Sequence, residues 1–260
     1  PDLIAALKWY YRKLGFDFIE EENIQVTTGG SEAISMAMFA TCGVGDEMLV
    51  FEPFYANYNS YAAINGIKLI PVFTDIKDGF HLPRREIIET HISPKTKAIL
   101  ICNPNNPTGT VYTKKEMDML INIAKKRKLF ILSDEVYREF VYDGKTHTSL
   151  FNYMEGNPAK MIVLDSLSKR YSLCGARIGC LVSLNKEIMS GVLRMAQGRL
   201  SCGLVDQAIA AKLTEVKDEY IKKTQSEYRA RRDVVYQELK KIPGVFVPYP
   251  EGAFYMIVKL

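Results

Sequence analysis

The chain has 260 residues, 47% of them apolar and 25% charged, and a formal charge of +4. These proportions are those of a folded globular protein and exclude disorder, collagen and coiled coil. The balance of 34 Lys and Arg against 30 Asp and Glu is too mild to point to a nucleic-acid or membrane partner, and no apolar run approaches the roughly 18 residues of a membrane span.

Directly after Pro1, the residues Leu3, Leu7, Tyr10, Tyr11 and Leu14 fall on one helical stripe. Apolar runs of strand length follow at Ile24–Thr28, Met48–Phe51, Lys68–Val72, Ala98–Cys102, Leu129–Ser133, Met161–Asp165 and Ile178–Val182. Several are continuous rather than alternating, as in strands buried on both faces of a parallel sheet. Helical patterns lie between them. One opens at Thr113-Lys114-Lys115-Glu116, a capping box followed by Met117, Leu120, Ile121 and Ala124. This alternation predicts an α/β fold, a three-layer α/β/α large domain with a mostly parallel seven-stranded sheet. About a dozen residues separate Asp165 from Ile178, barely enough for a helical crossover. The Ile178–Val182 strand is therefore expected to run antiparallel to the strand before it.

From roughly Asp206 to Lys241 a long charged helical pattern runs to Pro243-Gly244. It reads as a connection to a small α+β domain of which only the start is present, with a strand at Ala253–Val258. The expected division is 1–225 for the large domain and 226–260 for the connecting helix and the beginning of the truncated small one. A chain that opens in a helix without Met and closes inside a strand is read as part of a longer protein.

The five cysteines (Cys42, Cys102, Cys174, Cys180 and Cys202) are scattered and form no C-x-x-C pair. Buried or free thiols in a reducing, cytoplasmic compartment are the simplest reading. Asn106-Pro107-Thr108 carries the Pro that forbids glycosylation, and no secretory leader pattern is seen. His81, His91 and His147 lack ligand-like spacing, so no metal site is expected. Gly144-Lys145-Thr146 resembles the end of a P-loop, but position 139 is Glu. Gly43-Val44-Gly45 opens like a dinucleotide fingerprint, but position 48 is Met. Both read as turns.

Ligands of open α/β sheets bind beyond the carboxyl ends of the strands, and the residues there are informative. Gly29-Gly30-Ser31 follows the first strand and opens a helix, as a phosphate-binding turn does. Asn103 to Gly109 follows Cys102. Asp134, Glu135 and Tyr137 follow Ser133, and Ser166, Ser168 and Lys169 follow Asp165. Each piece also has a plain structural reading: a turn, a helix N-cap at Asp134, a surface lysine. Their joint occurrence at one sheet edge is harder to assign to accident.

Taken together, Asn105-Asn106-Pro107-Thr108-Gly109, Ser133-Asp134-Glu135-Val136-Tyr137 and Ser166-Leu167-Ser168-Lys169, with Arg177 eight residues on, resemble class I aminotransferases. These are fold-type I pyridoxal 5′-phosphate enzymes of the aspartate aminotransferase family, and order and spacing match throughout Gly29–Arg177. The resemblance implies that Lys169 forms the Schiff base with the cofactor and, once freed, moves the substrate Cα proton. It gives Asp134 the pyridine nitrogen, Asn106 and Tyr137 the 3′-oxygen, and Tyr55 the face of the ring. Gly29, Gly30, Ser31, Ser166 and Arg177 would hold the phosphate, with Ser168 also at the cofactor. It further implies amino acid and 2-oxo acid substrates, with aspartate or aromatic donors, and a homodimer. A carbon–sulfur lyase on the same fold, or a cofactor-sensing domain of a transcription regulator, are the rival readings. The family's substrate-carboxylate arginine belongs to a region beyond Leu260.

Overall fold

In a computed structural model of the protein, which describes residues 2–260, helices and strands alternate along the chain. The first half runs α1 (Asp2–Lys13), β1 (Ile24–Thr28), α2 (Gly29–Thr41), β2 (Glu47–Glu52), α3 (Asn57–Ile64), β3 (Lys68–Phe73), α4 (Arg85–Thr90), β4 (Thr96–Cys102) and α5 (Lys114–Arg127). The second half runs β5 (Phe130–Asp134), α6 (Phe151–Met154), β6 (Met161–Ser166), α7 (Leu167–Arg170), β7 (Ile178–Val182), α8 (Lys186–Arg199), α9 (Leu204–Ala211) and α10 (Asp218–Leu239). Pro1 lies outside the described residues.

The strands form one sheet in the order β1-β7-β6-β5-β4-β2-β3. Every neighbouring pair is parallel except those involving β7, which is antiparallel to both β1 and β6. The short link Leu167–Arg177 accounts for this, since it holds only α7 and a single 3₁₀ turn. All residues of β6 and β7 are buried, as both sheet faces are covered. Side-chain alternation splits the core in two. Ile99, Ile101, Ile131 and Val163 face a layer containing α1 and α5. Ala98, Leu100, Leu132 and Leu164 face a layer containing α2, α3 and α8. The result is three layers, α/β/α. Pro71 sits in β3 at the sheet edge, where its missing N–H removes no ladder bond. The capping box forms as expected: Thr113 accepts from the Glu116 N–H, and Glu116 accepts from the Thr113 N–H.

Two expectations need correction. The single helix over 206–241 is broken into α9 and α10 by a 3₁₀ turn at Lys212–Glu215 and extended backbone at Val216 and Lys217. Leu213 is buried in that turn with Ala210, and both α9 and the turn lie against α1. Burial of those side chains prevails over the helical charge pattern. The expected strand at Ala253–Val258 is not formed. Only single bridges, Val141–Gly252 and Phe246–Lys259, flank it. Ala253 has a φ of 53°, which interrupts an extended run, and Phe254 instead stacks on Tyr228 of α10 with centroids 4.6 Å apart.

Candidate active site

The residues just past β1, β4, β5 and β6, four mutually parallel strands, converge on one cavity of about 190 Å³. It is lined by Gly30, Ser31, Tyr55, Asn106, Asp134, Tyr137, Ser166, Ser168, Lys169 and Arg177. Gly29 is the one proposed site residue that does not line it, and it lies against Arg177, which does. Its φ is 73°, and a Cβ there would meet Arg177 Nη2 at 2.5 Å, so the guanidinium rests on the glycine backbone. Gly179 on β7 keeps the turn close to the sheet in the same way. A Cβ at Gly179 would meet the carbonyl carbon of Gly29 at 2.5 Å and the nitrogen of Gly30 at 2.7 Å.

Each wall is fixed locally. The first turn of α2 leaves backbone N–H groups unpaired at the cavity. Arg177, held in the left-handed region at φ 52°, donates from Nη1 to the Cys174 carbonyl at 3.1 Å. Ser168 N–H donates to Ser166 Oγ at 3.2 Å, which winds the start of α7 and places Lys169 one residue on. Asn106 Nδ2 donates to the Tyr137 hydroxyl at 3.4 Å. Burial, then the Tyr255 hydroxyl 2.8 Å away, raise the pKa of Tyr137, so it stays a phenol across the neutral range.

Asp134 ends β5 and is 4% exposed. Its Oδ2 accepts from the Tyr58 hydroxyl at 2.8 Å, and its Oδ1 has only a long 3.4 Å bond from the Val136 N–H. No ion pair among the described residues reaches it. Burial pushes its pKa up to about 6, against the pull of the Tyr58 and Val136 hydrogen bonds.

Asp165, one strand over, shows the opposite case. Burial opposes its charge too, but Arg170 and Arg138 hold its pKa below the ordinary value. Arg170 Nη2 sits 2.9 Å from both of its oxygens, and Arg138 Nη1 lies 3.2 Å from Oδ2. The segments after β5 and β6 are thus two-sided. Asp134, Tyr137, Ser166 and Lys169 face the cavity, while their neighbours Glu135, Arg138, Asp165 and Arg170 are knitted into a buried ionic network behind it. The network engages its arginines with Asp165 and Glu135 and leaves Asp134 without a cation.

That unmatched carboxylate tests the cofactor that the motifs imply. A buried acid without a cation fits a ligand that brings its own, such as a protonated ring nitrogen. In the same cavity, the α2 N-terminus, two serine hydroxyls and a guanidinium fit a phosphate. Lys169 lines the same space. The donor set fits pyridoxal 5′-phosphate.

The structure adds residues that the motifs did not reveal. Cys174 and Val136 line the cavity from within the motif segments, and Ile34 does so from α2. Tyr58 reaches Asp134 from the buried face of α3. Tyr255 arrives from far along the chain, and its segment is anchored by the Gly109 carbonyl, which accepts from the N–H groups of Glu251 and Gly252 at 2.9 and 2.8 Å. His81 braces the same segment, lying 3.0 Å from Glu116 Oε1 and 3.5 Å from Glu251 Oε2. Glu116, then Glu251, raise its pKa to about 9, which keeps it cationic at neutral pH.

The family model for aminotransferase class I and II matches residues 2–260. The aspartate aminotransferase of Thermotoga maritima is 35% identical over 243 residues, which cover 93% of this chain and 62% of that protein. A Bacillus subtilis protein described as a probable N-acetyl-LL-diaminopimelate aminotransferase is 35% identical over 260 residues, 98% of this chain and 63% of its own. The solved structure of the Thermotoga maritima aspartate aminotransferase superposes with a TM-score of 0.91 at 32% identity, covering 100% of this chain and 67% of that one. The chain spans about 60% of the length of the curated relatives it matches.

Proposed function

Because the chain belongs to the class I and II aminotransferase family, we propose that the full-length protein is a pyridoxal 5′-phosphate-dependent aminotransferase, moving an amino group between an L-amino acid and a 2-oxo acid. One observation carries this reading. A buried carboxylate lacking a cation, a lysine and an anion-binding helix end share a single cavity.

When bound, pyridoxal phosphate supplies an aldehyde that condenses with amines and a ring that takes up the electrons left when Cα loses its proton. The residues then divide the work. Gly30 and Ser31 offer N–H groups at the α2 N-terminus, and Ser31, Ser166 and Arg177 add hydroxyl and guanidinium donors for the phosphate. Asp134 accepts from the ring nitrogen and keeps it protonated. Asn106 and Tyr137 donate to the 3′-oxygen. Tyr55 covers the ring, its own hydroxyl held by Asn57 Nδ2 at 2.8 Å. Lys169 is the amine that holds the cofactor and, when released, its Nζ takes the proton from the substrate Cα.

The relatives named above are described as aminotransferases of different amino acids at equal identity, so the donor is proposed as aspartate or an aromatic amino acid from the family resemblance. Full-length protein incubated with aspartate and 2-oxoglutarate should form oxaloacetate and glutamate, followed by coupled assay. Release of ammonia and pyruvate from cysteine or cystathionine at a higher rate would instead establish a carbon–sulfur lyase.

The working unit is proposed to be a homodimer. Leu200, Leu204, Val205 and Ile209 form an exposed apolar strip on and before α9. It starts beside the first turn of α2, where Arg199 pairs with Glu32 at 2.8 Å. A strip of this kind marks an interaction surface. Sedimentation equilibrium should give twice the chain mass, and a fully active monomer would rule the dimer out.

A further inference from the structure

Fifteen tyrosines occur in the chain, and one of them is placed unlike the others. Tyr58 is 1% exposed, inside the first turn of α3, with its N–H donating to the Tyr55 carbonyl at 2.9 Å. Phe54 stacks along it at 6.2 Å and an interplanar angle of 10°, and Tyr55 meets it edge-on at 5.5 Å. Its ring is therefore held on two sides, and its hydroxyl ends 2.8 Å from Asp134 Oδ2. Tyr58 itself is not among the residues lining the cavity. It is a neutral donor aimed at the one buried carboxylate that the ionic network leaves alone.

We propose that Tyr58 is a positioning residue for Asp134: its O–H fixes Oδ2 and the plane of the carboxylate, leaving Oδ1 free to accept the ring N–H of the cofactor. The proposal rests on the functional reading given above and deepens it. Three features support it. A buried carboxylate with no cation needs donors to stay ionised. Of its two donors, Tyr58 is the short one, and the Val136 N–H is 3.4 Å away. The phenol is a donor that cannot compete with a ring nitrogen for the proton, because burial and then the Asp134 charge itself keep its pKa well above the ordinary value. A lysine or arginine in its place would neutralise Asp134 permanently and remove the demand for a cationic ring.

The groups facing Asp134 come from every neighbouring element. Tyr58 and Tyr55 approach from the α3 side, Cys102 from β4, Asp165 from β6, and Glu135 and Tyr137 from its own segment. Asp165 and Glu135 oppose its ionisation, burial opposes it more, and the Tyr58 hydroxyl is the group that favours it most. Arg138 and Arg170 are engaged with Asp165, Glu135 and Glu139 instead. Removing one hydroxyl thus removes the main support of the charge.

The test uses full-length protein freed of cofactor, with 13C-carboxyl-labelled aspartate and Asp134 assigned by its loss in Asp134→Asn. In Tyr58→Phe the Asp134 titration midpoint should rise by about one pH unit, the expected size for one hydrogen bond to a charged group. In the cofactor-loaded form, the pH at which ring protonation is lost, read from the cofactor's absorption, should fall. 3-Fluorotyrosine at position 58, a stronger donor of nearly the same shape, should move the carboxyl midpoint downward, and this arm stands even if the phenylalanine variant folds poorly. An unchanged Asp134 midpoint in both variants overturns the positioning role. Failure of the native protein to bind pyridoxal phosphate would overturn the functional reading instead, and the carboxyl titration separates the two.

Discussion

Lys169→Ala should abolish amino transfer while leaving the fold intact. Loss of a positioned general base alone costs about 10²–10⁴-fold. Lys169 is also proposed as the amine that tethers the cofactor, so the expected loss is at the top of that range, about 10⁴-fold or more. The fold should survive because the structural duties of α7 fall to its neighbour: Arg170, fully buried, pairs with Asp165 and Glu139, while Lys169 is half-buried and lines the cavity. Thermal melting of the variant should match the native protein. Borohydride treatment of the native holoprotein, followed by peptide mapping, should find the cofactor fixed to Lys169. Label on any other lysine, or a variant that keeps a substantial rate with aspartate and 2-oxoglutarate, would remove Lys169 from this role.

The strands were legible because their signal is local. A run such as Met161–Asp165 has no polar residue until its end, and burial on both faces leaves little other choice. The antiparallel β7 was legible from chain length alone, since no helical crossover fits in Leu167–Arg177. The cavity walls were legible because parallel strands must end at the same edge, so residues following four separate strands were bound to meet. What the sequence hid depends on partners distant along the chain. Leu213 is a routine helical residue until its burial beside α1 breaks the helix there. Phe254 reads as strand until Tyr228 offers a ring to stack on. Tyr58 looks like any apolar helix position, and only the three-dimensional placement of Asp134 gives its hydroxyl a purpose. The ionic network was hidden for the same reason. Glu135, Arg138, Asp165 and Arg170 each sit one residue from a cavity residue, and the sequence does not say which of two neighbours turns inward.

Asp134→Asn should do two opposite things at once. The side chain keeps its shape, and Tyr58 can still donate to its carbonyl oxygen. It loses the charge that would hold a ring nitrogen protonated, and removal of one preorganised electrostatic partner costs about 10²–10³-fold in rate. Cofactor should remain bound through the phosphate donors and Lys169. Stability should move the other way. The pKa of Asp134 is raised from 3.8 to about 6 in the folded protein, with burial the main cause. A carboxyl with a raised folded pKa favours the fold in its neutral form. That contribution is complete below pH 3.8 and is lost as pH rises through about 6. At about 1.4 kcal/mol per pH unit, the native cofactor-free protein gives up about 3 kcal/mol from this one group by pH 8. Asparagine never ionises, so the cofactor-free variant should be more stable than native at pH 8 by a similar amount, about 3 kcal/mol, and the two should converge near pH 4. Urea unfolding of both proteins at several pH values measures this, and pre-steady-state turnover measures the rate loss. A variant with near-native turnover would show that Asp134 does not serve the ring nitrogen. Parallel stability curves would show that its charge carries no folding cost. If both expectations hold, the protein keeps a buried charge that weakens its own fold, and the cofactor's ring nitrogen is the group that relieves it.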